Sequence, residues 1–273
     1  TKQYYHYILT QHTSGKIGRE YLNNLQTTSE SIKLFQLGYS LSSWDGLIKY
    51  LVKKKKYHIL DVEAAGLVIL RGSARKGSTN DHDYYDRFRG RLMFPLTDHR
   101  GRVVGFSGRL LEAEAKEAKY INSPETIVYH KSKLLFGYSQ HYRDLRDAKQ
   151  VVIAEGEFDV ISSGQAFVRN VVAIKGSAMT KEHVELLRRT VETVILSLDA
   201  DSAGVEATKK AIQLTQAAGL RVRVLNTEYL DGKDPDDFAR SDPGGWRAHV
   251  KQSISAYQFL IDVAFKKYDA TTG

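Results

Sequence analysis

The second half of the chain alternates short apolar runs with amphipathic segments, and this alternation limits the fold more than any other feature. The runs are QVVIA, NVVAI, TVILSL and RVRVL. The segments between them have helical spacing, with Thr180 as a plausible N-cap and Gly219 closing the last helix. Strands that alternate with helices at this spacing form right-handed βαβ units. The pattern predicts an α/β fold with a parallel sheet covered by helices on both faces.

Acidic residues stand directly after these apolar runs. Glu155 follows the first run, Asp199 and Asp201 follow the third, and Asp234 and Asp236 come after the fourth. Open α/β sheets bind their ligands at the edge formed by the carboxyl ends of the strands. Asp199 and Asp201 are two residues apart, so in an extended segment their oxygens can face one point. The sequence therefore predicts a cluster of carboxylates at one edge of the sheet.

Such a cluster needs either protons or cations, because converging carboxylates repel by several kcal/mol at low effective dielectric. All-oxygen ligation selects Mg²⁺ or Mn²⁺, and a chain with no cysteine offers no thiolate zinc site. Carboxylates holding Mg²⁺ are typical of phosphoryl and nucleotidyl transfer. Ordinary structural roles stay open for the single residues: Glu155 and Asp201 as helix caps, Asp159 as a surface helix residue, and Asp234 with Asp236 in an Asx turn.

Charge is divided unevenly along the chain. Residues 1–150 carry 25 Lys and Arg against 15 Asp and Glu, whereas residues 151–273 carry 15 against 17. The net charge of +8 therefore comes from the first half. A basic half indicates a surface for a polyanion, although many basic proteins bind no nucleic acid.

The first half reads as mostly helical over residues 1–60, as a loop over 71–83, and as two strands joined by a turn over 87–111. Arg87, Arg89 and Arg91 are two residues apart, so in a strand they would point the same way. Three guanidinium groups on one face suit a row of phosphates. The alternative is a solvated edge strand whose charged residues discourage pairing with a strand of another molecule.

Several motifs together resemble a known family. AEGEFDV, LSLDADSAG and LDGKDPDDF resemble the TOPRIM domain of primases, topoisomerases and some nucleases. RFRGRLMFPLTDHRGRVVGFSGRLL, KYINSPET and HKSKLLFG resemble the RNA polymerase domain of bacterial DnaG-type DNA primases, from about Tyr21 to about Tyr268. The resemblance implies a TOPRIM parallel sheet with flanking helices, preceded by a basic mixed α+β subdomain and followed by the start of a helical tail. The expected divisions are residues 1–130, 131–245 and 246–273.

The resemblance also implies site residues and a cofactor. Two or more Mg²⁺ or Mn²⁺ ions would bridge the phosphates of the incoming nucleotide and activate the attacking 3′-hydroxyl. The implied catalytic metal ligands are Glu155, Asp199 and Asp201, with Asp159, Asp234 and Asp236 in support. The implied DNA-binding and nucleotide-binding residues are Arg87, Arg89, Arg91, Arg109, Lys119, Tyr120, Asn122 and Lys131.

The function implied by the resemblance is that of a DNA primase core, which makes short RNA primers from NTPs on single-stranded DNA. A replicative helicase is an expected partner through a C-terminal domain absent from this chain; the core is expected to be monomeric and cytoplasmic, without a membrane partner. Two alternatives stay open, a TOPRIM-type metal-dependent nuclease and a non-catalytic single-stranded nucleic-acid-binding module. A doubly wound nucleotide-binding domain is disfavoured, because the chain lacks its glycine-rich fingerprint. The initiation sequence, the primer length and the number of ions are not implied.

Overall fold

A computed structural model describes residues 1–111, 117–176, 178–198, 201–225 and 234–272, with the backbone alone from 266 onward. The chain divides into two compact units, Thr1–His130 and Lys131–Gly273. In the described parts, no helix is both long enough and apolar enough to cross a bilayer.

The first unit combines short helices with antiparallel strands. Its helices are α1 (Lys2–Thr10), α2 (Lys16–Asn24), α3 (Ser29–Leu34), α4 (Gly46–Ile48, continued by a π-helical segment, Lys49–Lys54) and α5 (Ile59–Ala64). Its strands are β1 (Gly38–Ser40), β2 (Val68–Leu70), β3 (Tyr84–Asp86), β4 (Arg91–Thr97), β5 (Val103–Leu110) and β6 (Tyr120–Asn122). The mostly helical character expected for residues 1–60 is confirmed, and β1 is the strand that interrupts it.

The main sheet of this unit has the order β1-β4-β5-β6, and β2 pairs with β3 in a separate hairpin. One face of the sheet packs on an apolar cluster that includes Tyr5, Met93 and Phe106. Helix α1 approaches this face so closely that a Cβ at Gly38 would lie 2.5 Å from the Cβ of Tyr5. Glycine is therefore required where β1 passes under α1.

The segment from Arg87 to Arg91 differs from the sequence prediction. The strand begins only at Arg91, and residues 87–90 are irregular. Gly90 has a φ of +61°, a left-handed conformation that ends any extended chain coming from Arg87. The prediction that Arg87, Arg89 and Arg91 share one strand face is therefore wrong.

The second unit is built on a six-stranded sheet with helices between its strands. Its strands are β7 (Leu135–Phe136), β8 (Gln150–Ala154), β9 (Val171–Ile174), β10 (Thr193–Leu196), β11 (Arg221–Val224) and β12 (Ile254–Ser255). Its helices are α6 (Tyr142–Ala148), α7 (Glu157–Gln165), α8 (Lys181–Leu187), α9 (Ser202–Ala217), α10 (Pro235–Ser241), α11 (Pro243–Lys251) and α12 (Ala256–Thr272).

The sheet order is β12-β11-β10-β8-β9-β7, and its four central strands are parallel. The predicted parallel sheet is thus confirmed, with Thr180 capping α8 and Gly219 at φ +82° after α9. Strands β8, β9 and β10 are buried almost throughout, as their continuous apolar sequences require. In β11, burial alternates, so Arg221 and Arg223 lie on an exposed face of the strand and Val222 and Val224 on a buried one.

Candidate active site

The carboxyl ends of the four parallel strands form one edge of the second unit's sheet, and polar residues follow the strands at that edge. Glu155 directly follows β8 and is half-buried. Lys175 follows β9, the strand that pairs with β8 in parallel. Asp199, which the sequence predicts after β10, lies outside the described residues. Asp201 then begins α9 as its N-cap.

Two of the predicted acids also serve as helix caps. Asp201 Oδ1 accepts a 2.7 Å hydrogen bond from the backbone N–H of Gly204. Asp159 Oδ2 accepts a 2.9 Å bond from the N–H of Gly156, which precedes α7. An ionised carboxylate has about four acceptor sites. The cap bond of Asp201 uses one oxygen, so it is compatible with the binding of a cation at the other.

A second acidic group begins α10. One carboxylate oxygen from each of Asp234, Asp236 and Asp237 lies within 4.8 Å of the others. Asp234 caps the helix through the N–H of Asp237, at 2.9 Å. Arg240 donates to both oxygens of Asp236 at 3.1 Å and also pairs with Asp237. Burial alone would lower the pKa of the Arg240 guanidinium, but the hydrogen bonds it donates to Asp236 and the nearby negative charges raise this pKa overall.

Helix α7 connects the acids that follow β8 with the acidic group of α10. It begins immediately after Glu155 and Gly156, and its first turn contains Asp159. In its second turn, Ser162 donates a hydrogen bond to Asp236 of α10. The carboxylates of α7 and α10 therefore come from helices that pack against each other within a single unit, and their oxygen donors fit a hard divalent cation.

Basic side chains occupy the same edge. Lys131 starts a short 3₁₀ turn, and a Cβ placed at Gly176 would lie 3.4 Å from its Nζ. The Lys131 ammonium group therefore covers the residue that follows Lys175. The turn is held to α8 by Thr180 Oγ1, which donates a 2.6 Å hydrogen bond to the carbonyl of Ser132. Lys131, which the sequence predicts as a nucleotide-binding residue, thus lies beside Gly176, at the sheet edge where the residues after the strands stand.

In the first unit, several predicted residues share one face of the main sheet. Arg109 of β5 stands opposite Tyr120 of β6, and Asn122 lies two residues further along the same face. Arg109 donates a 2.9 Å hydrogen bond to the Tyr120 hydroxyl. Its guanidinium carbon lies 5.1 Å from the ring centroid of Tyr21 in α2 and 5.4 Å from that of Tyr120. Asn122 Oδ1 is buried and has no hydrogen-bond partner in the part of the chain that the structure describes.

Arg91 lies on the opposite face. It pairs in register with Leu110, one position away from Arg109, and its side chain is 1% exposed. The guanidinium donates to the carbonyls of Gly108 and Ala118 and pairs with Glu117 at 2.8 Å. This side chain therefore holds β4, β5 and the segment before β6 together.

Arg87, Arg89 and Lys119 have different surroundings. Arg89 stacks on the Trp44 ring, with 4.2 Å from guanidinium carbon to ring centroid, and pairs with Glu117. Arg87 is half-buried, and Lys119 is exposed just before β6. Arg87 and Arg89 therefore lie on the irregular segment before β4, and Lys119 lies on the segment before β6.

Sequence reasoning missed the buried ion pair between Glu157 and Lys175 and the salt bridges of Arg240. Lys175 follows its strand as directly as Glu155 does. The expectation that polar residues directly after parallel strands lie at one sheet edge would have identified Lys175, had it been applied to cations as well as to acids.

Comparisons with known proteins agree with this architecture. A family model described as "DNA primase catalytic core, N-terminal domain" matches residues 4–142, and one described as "Toprim-like" matches residues 152–239. A DNA primase of Halalkalibacterium halodurans is 38% identical over 239 residues, which are 86% of this chain and 37% of that protein. The chain thus spans about two fifths of the length of the curated relatives that it matches.

Solved structures extend the similarity to almost the whole chain. A DnaG primase catalytic domain bound to single-stranded DNA is 30% identical, with a TM-score of 0.83, over 97% of this chain and 80% of that one. The RNA polymerase domain of Mycobacterium tuberculosis primase DnaG, in complex with a DNA oligomer with a 6-nucleotide overhang, is 32% identical, with a TM-score of 0.83, over 97% and 82%. The predicted fold class is confirmed. Because one family model matches half of the chain and solved cores match nearly all of it, the chain belongs to the DnaG-type DNA primase family.

Proposed function

We propose that this chain is a primase catalytic core that synthesises short RNA primers on single-stranded DNA by metal-dependent nucleotidyl transfer. The observation that carries the proposal is the row of carboxylates after the parallel strands of the Toprim-like unit. The similarity to a DnaG catalytic domain bound to single-stranded DNA supports the nature of the template.

In this proposal Glu155, Asp199 and Asp201 hold two or more Mg²⁺ or Mn²⁺ ions. Metal ions at such a site stabilise charge on phosphoryl oxygens and lower the pKa of a bound hydroxyl. The cap bond of Asp201 fixes one oxygen and so orients the other, and Asp159 holds the backbone that follows Glu155. Asp234 and Asp236 act in support, with Asp236 restrained by Ser162 and Arg240.

Basic and aromatic residues bind the template and the nucleotide. Arg109, Tyr120 and Asn122 share a sheet face on which a guanidinium, a phenol ring and a buried amide oxygen adjoin. Such a combination suits phosphate contact together with base stacking. Lys131 binds triphosphate oxygens.

The remaining basic residues have separate roles. Arg87, Arg89 and Lys119 contact the DNA backbone. We assign Arg91 a supporting role, because its guanidinium is buried and bonded to backbone carbonyls.

NTPs and a replicative helicase are the further partners we propose, together with a monomeric state and a cytoplasmic location. We also propose three subdomains, over residues 1–130, 131–245 and 246–273. These proposals rest on the family, whose curated members are DNA primases.

A primer-synthesis assay tests the function. The protein is incubated with a single-stranded DNA template, labelled NTPs and Mg²⁺ or Mn²⁺, and the products are separated by length. Glu155→Gln and Asp201→Asn should each lower incorporation by about 100-fold or more, because a metal site supplies several kcal/mol of charge stabilisation. Asp147→Asn is the matched control, since this exposed acid on α6 pairs with its neighbour Arg146.

The outcomes separate the candidate functions. Incorporation that survives both substitutions would refute the assignment of the metal ligands. Metal-dependent cleavage of labelled single-stranded DNA without NTPs would favour a nuclease. Salt-sensitive DNA binding with neither incorporation nor cleavage would favour a non-catalytic binding module.

A further inference from the structure

The 3₁₀ turn Lys131–Lys133 is held in place by two contacts within the second unit. Strand β7 begins just after the turn, at Leu135, and pairs antiparallel with β9, so the downstream end of the turn lies at the sheet. The turn itself is attached to α8, because Thr180 Oγ1 donates a 2.6 Å hydrogen bond to the carbonyl of Ser132. This attachment is one residue away from Lys131.

The Thr180 hydroxyl takes part in two hydrogen bonds at once. As the N-cap of α8, its oxygen accepts the backbone N–H of His183 at 3.1 Å, while its proton is donated to Ser132. The backbone N–H of Thr180 in turn donates to Nδ1 of His183 at 3.3 Å, which completes a capping box. A threonine side chain also has few χ1 rotamers. The start of α8 is therefore a firm support for the turn.

The side chain of Lys131 passes over Gly176, which follows β9. A Cβ placed at Gly176 would lie 3.0 Å from Cε of Lys131 and 3.4 Å from its Nζ. Gly176 and Thr180 belong to the same connection, between β9 and α8. A hydrogen bond from Thr180 to the residue after Lys131 therefore fixes the turn relative to the backbone that its ammonium group covers.

Capping alone does not require a hydroxyl at position 180. Glycine caps helices about as well as threonine does, and aspartate caps them better. Threonine differs from both in having an O–H donor, since an ionised carboxylate only accepts hydrogen bonds. In Thr180 this donor is used on the turn. Substitutions can therefore separate the attachment of the turn from the capping of α8.

We propose that Thr180 is a positioning residue for the incoming nucleotide: its hydroxyl holds the turn that begins at Lys131 and so places the Lys131 ammonium group where it binds triphosphate oxygens. This inference rests on the proposed nucleotide-binding function of Lys131. The net contribution of one neutral hydrogen bond corresponds to a change of roughly 2- to 12-fold in an equilibrium constant. Because Thr180 acts through Lys131, its loss should weaken nucleotide binding less than the loss of the ammonium group does.

The test measures the dissociation constant of fluorescently labelled ATP with Mg²⁺ by fluorescence anisotropy, in the whole chain. Thr180→Gly keeps a good cap without the donor and should raise this Kd about fivefold. Thr180→Ser keeps both hydrogen bonds and should stay within about twofold of the unmodified protein. In the primer-synthesis assay, Thr180→Gly should raise the KM for NTPs by a similar factor and leave kcat within about twofold, because it removes binding rather than chemistry.

A matched control separates this effect from a general loss of structure. Thr28 caps α3, in the first unit, where its Oγ1 accepts the N–H of Ser31 at 3.2 Å. Thr28→Gly makes the same substitution at that cap and should leave the Kd for ATP unchanged. An unchanged Kd in Thr180→Gly would overturn the proposal. Equal weakening by Thr180→Gly and Thr180→Ser would overturn it as well, because the hydroxyl would then not be responsible.

A double-mutant cycle with Lys131 tests whether Thr180 acts through that residue. Lys131→Met should raise the Kd for ATP about tenfold or more, because a charged hydrogen-bond donor is lost. An unchanged Kd in Lys131→Met would refute the nucleotide role of Lys131 and this inference with it. When Lys131→Met does raise the Kd, the Thr180 variants judge this inference alone.

Adding Thr180→Gly to Lys131→Met should then cause no further change in the Kd, whereas effects that multiply would mean that Thr180 acts by another route and would overturn the proposal. If Thr180→Gly does not fold, Thr180→Asp supplies a strong cap without a donor and should raise the Kd in its place. An unchanged Kd in Thr180→Asp would also contradict the proposed role of the hydroxyl.

Discussion

Asp86, at the end of β3, is a buried carboxylate whose ionisation should set a pH dependence of stability. Asp86 is 3% exposed, and its two carboxylate oxygens accept hydrogen bonds from the backbone N–H groups of Leu47 and Ile48 at 2.7 and 3.1 Å. Burial raises the pKa of this carboxyl to about 6, although the two backbone bonds oppose the rise. We predict that Asp86→Asn removes a stability change that the unmodified protein shows between about pH 4 and pH 6.

The sign follows from the direction of the shift. The folded-state pKa of Asp86, about 6, lies above its unfolded value of 3.8, so folding favours the protonated acid. The stability from this group is fully present below about pH 4 and is lost as the pH rises through about 6. A difference of about 2 pKa units corresponds to about 3 kcal/mol in the free energy of unfolding.

Urea unfolding followed by circular dichroism at pH 4, 5, 6 and 7.5 measures this free energy in both proteins. On acidification from pH 7.5 to pH 4, the free energy of unfolding of the unmodified protein should rise by about 3 kcal/mol relative to that of Asp86→Asn. The hydrogen bond lost in the variant adds the same difference at every pH. Asp81→Asn is the control, because Lys53 holds the pKa of Asp81 below its usual value. Its difference from the unmodified protein should move the opposite way. A constant difference for Asp86→Asn across this pH range would refute the raised pKa.

Two further predictions concern arginines of the first unit. Arg91→Met should lower the free energy of unfolding by about 3 kcal/mol, because it removes a buried guanidinium that donates to the carbonyls of Gly108 and Ala118 and pairs with Glu117. The exposed Arg102→Met should change the free energy of unfolding by less than about 1 kcal/mol, and thermal denaturation compares the two variants. Arg109→Ala should weaken binding to labelled single-stranded DNA, measured by fluorescence anisotropy. The slope of the logarithm of the binding constant against the logarithm of the salt concentration should fall in magnitude by about 0.7, because one phosphate contact is lost. An unchanged slope would contradict the proposed role.

The architecture of the second unit could be predicted from its sequence because its signals are local. Each buried parallel strand is a short apolar run, and Thr180 and Gly219 mark helix ends by their own chemistry. The placement of Glu155 and Asp201 near the same sheet edge followed from the topology alone. Local pattern and global fold agree in this half of the chain.

The side chains of the first unit were harder to predict because their roles depend on distant contacts. Arg89 and Arg91 are two residues apart, as two residues on one face of a strand would be. The left-handed conformation of Gly90 and the hydrogen bonds of the Arg91 guanidinium to carbonyls near Glu117 place this side chain elsewhere. The Glu157–Lys175 pair likewise joins residues 18 apart. It could be inferred only once β8 and β9 were known to be neighbours.

The outermost strands of the sheets are very short. In the described parts of the chain, β7 and β12 have two residues each and β1 and β6 have three, whereas β4 and β5, with seven and eight, lie inside their sheet. A foreign strand finds few free backbone groups on such an edge. Both sheets should therefore resist growth into fibrils, and a peptide that binds this protein should use side-chain contacts rather than join a sheet as an added strand.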